Sequence, residues 1–171
     1  MSSSYLHDLA VDLLTAAEAA IAPECTGHVL PSRRYVSWTE PAHDLCSDDA
    51  GTDGSGQLNV WWDTFPSPQI IARGNVCAVR LLGTICVELA RCVPDLDEDS
   101  TPFAPAVYED AAEFMHVEAW PLLRGVTAWV AALGCAYKQI DASIPALSGG
   151  SASIRICATI ELNDPDPACT L

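Results

Sequence analysis

The sequence predicts a single α+β domain, a mostly antiparallel sheet of about four strands with an N-terminal helix and a long or broken helix packed on one face. Three observations carry this expectation. The chain has 171 residues, half of them hydrophobic, which is enough for one substantial core and too short for two. Apolar residues recur at helical spacing in two stretches and alternate in several others. A helix has one apolar stripe and a strand one apolar face, so laying both helices on the same side of the sheet covers all of them.

The first helix runs from Ser4 to Ile21, where Tyr5, Leu6, Leu9, Leu13, Leu14, Ala17 and Ile21 fall on one side and Asp8, Asp12 and Glu18 lie between them. One of Ser2, Ser3 or Ser4 can cap it, and Pro23 prevents its continuation. Arg33 to Thr39 is rich in aromatic and β-branched residues and suits a strand. Residues 41–56 are dense in Asp, Gly, Ser and Thr without periodicity and read as a flexible acidic loop. Gln57 to Asp63 reads as a second strand that Phe65-Pro66-Ser67-Pro68 ends, because proline cannot donate to a ladder.

The strongest strand signal spans Val76 to Val93. Val79, Leu81, Ile85, Val87 and Leu89 mark its apolar face, Gly83 permits a bend or bulge, and Pro94 stops it. From Pro105 to Leu133, Val107, Ala111, Phe114, Met115, Leu122, Val126, Trp129, Val130 and Leu133 recur at helical spacing. Pro121 falls inside that pattern and is expected to kink or split the helix. After Gly149-Gly150, the residues Ile154, Ile156, Ala158, Ile160 and Leu162 alternate as a half-buried strand. Residues 163–171 read as a polar tail, so 1–171 is one domain with a loop and a tail.

Charge narrows the function. A formal net charge of −15, from 23 acids against eight Lys and Arg, argues against a protein that holds nucleic acid by neutralising phosphates. No apolar run reaches the roughly 20 residues of a membrane-spanning helix, and Met1-Ser2-Ser3-Ser4 has no basic and apolar leader. A soluble protein in a reducing compartment is expected, with most of the eight cysteines acting as small buried hydrophobes.

Catalytic and metal chemistry have thinner support. Cys25, His28, His43 and Cys46 form C-x2-H and H-x2-C pairs, the two knuckles that tetrahedral zinc favours, in a permuted order that leaves a small zinc-binding interaction module as an alternative. Asp95, Asp97 and Asp99 alternate as calcium ligands do, yet Ser100 and Ala106 stand where such a loop needs glycine and glutamate. No nucleophile elbow, phosphate loop or dinucleotide fingerprint is present, so no catalytic residue and no cofactor is assigned and an enzyme is not expected. Trp61 and Trp62 are neighbours on a strand and point to opposite faces, so one is expected in the core and the other outward as an interface anchor.

Gln57-Leu58-Asn59-Val60, the Phe65-Pro66 turn, Cys77 and the stretch Val87-Glu88-Leu89-Ala90-Arg91-Cys92-Val93-Pro94 resemble the neck proteins of long-tailed actinobacterial phages. Those proteins continue with an acidic, proline-containing turn, an alanine-rich helix and a final strand, the order found here from Asp95 to Glu161. The resemblance covers about two-thirds of the chain, with Glu88 to Pro94 its most specific part. It implies a tail terminator, a virion protein assembled in the host cytoplasm into a ring, usually of six copies. Such a ring caps the tail tube and receives the head-to-tail stopper or connector while DNA passes through its lumen. A stopper or connector is the alternative within the neck. On this reading Trp61, Trp62, Asp44, Asp48, Asp49 and Asp53 are the interface candidates.

Overall fold

The computed structural model describes residues 3–41, 56–73, 76–92, 105–134, 137–143 and 151–163. Helix α1 (Ser3–Ala20) is followed by the single turn α2 (Pro23–Thr26), β1 (Arg33–Ser37), β2 (Gln57–Arg73), β3 (Val76–Cys92), α3 (Pro105–Ala132), β4 (Tyr137–Ser143) and β5 (Ser151–Asn163). The strands form one five-stranded sheet in the order β1-β2-β3-β5-β4.

One face of the sheet is apolar, and α1 and α3 cover it. Leu58, Val60 and Trp62 of β2, Ile85, Val87 and Leu89 of β3, and Ile154, Ile156, Ala158 and Ile160 of β5 meet Leu9, Leu13 and Ala17 of α1 and Leu122, Val126, Trp129 and Val130 of α3 in one core. The strict alternation on each strand produces this, since period two sends every second side chain to the same face. The Trp62 indole N–H donates to the carbonyl of Leu6 at 3.1 Å, which ties β2 to α1. The helices approach closely at Gly125, where an added Cβ would lie 2.5 Å from the Ala20 Cβ.

A buried ion pair closes one end of the core. Arg91 of β3 donates from Nε to Glu118 Oε2 of α3 at 3.0 Å and from its terminal nitrogen to Glu118 Oε1 at 2.5 Å, and that nitrogen also reaches the Val29 carbonyl at 2.9 Å. Both side chains are almost wholly buried. The forked geometry satisfies two carboxylate oxygens at once, which is what makes burial of both charges tolerable.

The α+β expectation with helices on one face stands, but the sheet is mixed and has five strands. β1 runs parallel to β2, in register from Arg33↔Gln57 to Ser37↔Trp61, while the other three pairings are antiparallel. Local composition carries no sign of strand direction; the long connection between β1 and β2 permits a crossover, which a parallel pair requires. The fifth strand, β4, reads Tyr-Lys-Gln-Ile-Asp-Ala-Ser, an edge strand without the apolar alternation that marks its neighbours.

One proline expectation is also corrected and another is narrowed. β2 does not end at Phe65-Pro66 but continues to Arg73, with its register shifting between Trp62 and Thr64 and again between Thr64 and Ser67. The extra residues bulge opposite Gly83, the predicted irregular position, where an added Cβ would meet the Pro66 ring at 2.7 Å. Beyond Trp61, β2 has no neighbour on the β1 side among the described residues, and a strand without a partner on one side accommodates missing amides. Likewise Pro121 does not split α3, which is helical through it. One helical hydrogen bond is lost there, while Leu122 and Val126 beyond it are fully buried and hold the helix on the sheet.

The sheet also joins two of the eight cysteines. Cys86 of β3 and Cys157 of β5 lie directly opposite each other and are joined by a disulfide, with Cα atoms 4.1 Å apart. They face away from the helices. Residues 42–55 of the acidic loop, residues 93–104 with their Asp triplet, and residues 164–171 of the tail lie outside the described residues.

Candidate interaction surface

The face of the sheet opposite the helices is polar, and the same alternation builds it. Between the core residues of β2 fall Gln57, Asn59 and Trp61, between those of β3 fall Glu88 and Cys86, and between those of β5 fall Arg155, Cys157 and Thr159. Register aligns Tyr35, Asn59, Glu88, Arg155 and Ser143 in one row across all five strands. The next row holds Ser37, Trp61, Cys86, Cys157 and Asp141.

Arg155 organises this face. Its guanidinium donates to Glu88 Oε2 from Nε at 3.3 Å and from a terminal nitrogen at 3.1 Å, and the same terminal nitrogen pairs with Glu40. It also lies over the Trp61 ring, 5.2 Å from the centroid, within cation-π range. Burial works against its charge, but the two carboxylates outweigh that and raise its pKa above the usual arginine value. Glu40 belongs to the segment leaving β1, so this contact carries the start of the β1 to β2 connection across the polar face as far as β5.

Several amide and indole groups there are buried without a partner among the described residues. Both amide atoms of Asn59, the Gln57 Nε2 and the Trp61 Nε1 have no hydrogen-bond partner among the described residues, although Tyr35 donates to Gln57 Oε1 at 3.3 Å. Thr84 and Thr159 bridge β3 and β5 through their hydroxyls at 3.1 Å.

Exposed aromatic surface lies at the margin of this face. Trp38, just past β1, is 71% exposed and sits against Phe65 of the β2 bulge, 46% exposed, with ring centroids 6.2 Å apart. Trp120 on α3 is 66% exposed. Large rings left in water at an irregular sheet edge suit partner binding, where tryptophan contributes disproportionately.

The predicted interface residues are distributed differently. Trp61 and Trp62 do point to opposite faces, but both are buried, at 1% and 6% exposure, so neither is an outward anchor. On the polar face the Arg155 guanidinium lies over the Trp61 ring and pairs with Glu40. Asp44, Asp48, Asp49 and Asp53 lie outside the described residues, as do His43 and Cys46 of the candidate zinc set. Cys25 falls in α2, and the His28 amide donates to Thr26 Oγ1 at 3.1 Å just after the left-handed cap Gly27. Among the described residues no group of three or more His, Cys, Asp or Glu is placed to hold a metal, and no helix is long and apolar enough to cross a membrane.

Sequence reasoning missed Trp38, Phe65 and the Glu40-Arg155-Glu88 network. A signal for part of it exists in the polar phase of the strands, since Asn59, Glu88 and Arg155 each sit between two apolar residues. The pairing of those phases across strands is set by register, which the sequence does not display. Compared with models of known protein families the sequence matches none, and no curated protein matches it either.

Proposed function

We propose that the chain is a non-catalytic virion assembly protein, a phage tail terminator that forms a ring of about six copies, caps the tail tube and joins it to the head-to-tail stopper or connector. The observation that carries the assembly reading is the sheet margin: beyond Trp61, β2 has no strand on its outer side among the described residues, and the exposed Trp38 and Phe65 lie together near that edge. Unpaired edges and solvent-facing aromatic rings are costly in a protein that works alone and useful in one that binds neighbours. The terminator assignment within that class rests on the resemblance centred on Glu88 to Pro94. Within that stretch Glu88 lies on the polar face and Arg91 in the buried ion pair.

The net charge of −15 fits a ring through which DNA passes without adhering. The test is complementation of a phage that lacks this gene, scored by electron microscopy. Loss of the protein is expected to leave overlong tubes or tails without heads, and the wild-type chain to restore joined particles. Tails of normal length and attachment in its absence would overturn the reading.

A further inference from the structure

Of the large apolar side chains among the described residues, Trp38 and Trp120 stand furthest into water. They belong to separate patches. Trp38, just past β1, lies against the exposed Phe65 of β2, and the charged residue nearest in sequence to each is an exposed acid two positions away, Glu40 and Asp63. Arg155 is shared between Glu40 and Glu88, one guanidinium against two carboxylates, so Glu40 keeps this patch acidic. Trp120 lies on α3. That helix turns Leu122, Val126 and Trp129 into the core, so Trp120 and Arg124, one turn apart, fall on its opposite side with Thr127 and Ala131, and all four are exposed. From Ala119 to Gly134, Arg124 is the only charged residue.

Composition and charge make the two patches complementary. Tryptophan and arginine dominate binding energy at interfaces, and such centres pair with one another across a contact. An isologous contact sets a patch against its own copy, which here would bring Glu40 and Asp63 against the same two acids, or Arg124 against Arg124. Pairing the first patch with the second brings opposite charges together instead.

We infer that Trp120 and Arg124 of one copy dock on the Trp38–Phe65 pair of the next, with Arg124 facing Glu40 and Asp63. The inference rests on the ring reading above and names its contact. The relation is head-to-tail, because each copy gives one patch and receives the other, and a heterologous contact of this kind closes into a ring when its rotation permits.

The experiment is sedimentation velocity of the full chain, wild type, Trp38→Ser and Trp120→Ser, with the two variants run alone and mixed in equal amounts. Wild type is expected to assemble beyond a dimer. Each variant keeps one working patch, so each alone should assemble about tenfold or more weakly, with unchanged melting because the replaced ring is exposed. Their mixture should form one-to-one dimers through the two intact patches and go no further.

Three results would overturn the inference: wild type that stops at a monomer or dimer up to its solubility limit, either variant assembling as strongly as wild type, or a mixture that forms no one-to-one dimer. Should a serine variant melt below wild type, Asp63→Lys replaces Trp38→Ser and Arg124→Glu replaces Trp120→Ser, with the same outcomes. The two readings separate cleanly. Assembly indifferent to both patches removes this contact alone, whereas patch-dependent assembly in a protein whose loss leaves tails normal removes the terminator assignment alone.

Discussion

Glu118 and Arg91 show how much depends on one side chain when both members of an ion pair are buried. Arg91 is buried beneath α3, where Glu118 meets it in a forked contact and the Val29 carbonyl accepts a further bond. Glu118→Ala should therefore destabilise the fold by about 3–5 kcal/mol, the cost of a stranded buried charge. Glu40→Ala, whose carboxylate is half exposed, should cost about 1 kcal/mol or less. Urea denaturation of both variants checks the contrast, and similar midpoints would contradict the assignment of which pair is buried. Asn59 predicts the opposite sign. Its amide is fully buried with neither atom bonded among the described residues, so Asn59→Leu, close to it in volume, should raise stability by about 1 kcal/mol or more. A lower melting temperature would mean that the amide is satisfied after all.

At the scale of elements, legibility follows how much of an element's environment is local. α1, α3, β3 and β5 were readable because their apolar periodicity continues over many residues and every predicted core position of β5 is buried. β4 was not, since an edge strand is held by its pairing with β5 and not by its own apolar face. The prolines of β2 and α3 misled for a related reason: each removes one amide locally, and packing or an open edge decides whether that loss ends the element. The closest interhelix approach provides the sharpest element-scale prediction. Gly125 leaves no room for a Cβ against Ala20, so Gly125→Leu must push α3 away from α1 and should destabilise by about 1–3 kcal/mol, occasionally more. Thermal melting measures this. A melting temperature equal to wild type would show that the helices are not seated as described.

For the whole molecule, the separation of an apolar face from a polar face explains why the fold was more legible than the site. Core formation needs only periodicity, whereas the polar network joins Glu40, Glu88 and Arg155 from three separate segments whose proximity exists only once register is set. The same arrangement constrains how the molecule meets DNA. Of the eight bases, Arg34, Arg91 and Arg155 meet carboxylates among the described residues, and the other five, Arg33, Arg73, Arg80, Arg124 and Lys138, are spread in sequence over β1, β2, β3, α3 and β4. No two of these five lie closer in sequence than Arg73 and Arg80, seven positions apart. Displacement of counterions by so few cations limits the salt dependence of any DNA contact to a slope of about −2 in a plot of log affinity against log salt, since each neutralised phosphate contributes about −0.9. With 23 acids on the same chain repelling the duplex, no retention is expected near physiological ionic strength. Filter binding across a salt series tests this directly: a complex that survives at about 150 mM salt, or a slope steeper than about −3, would require a cation cluster that this distribution of charge does not contain.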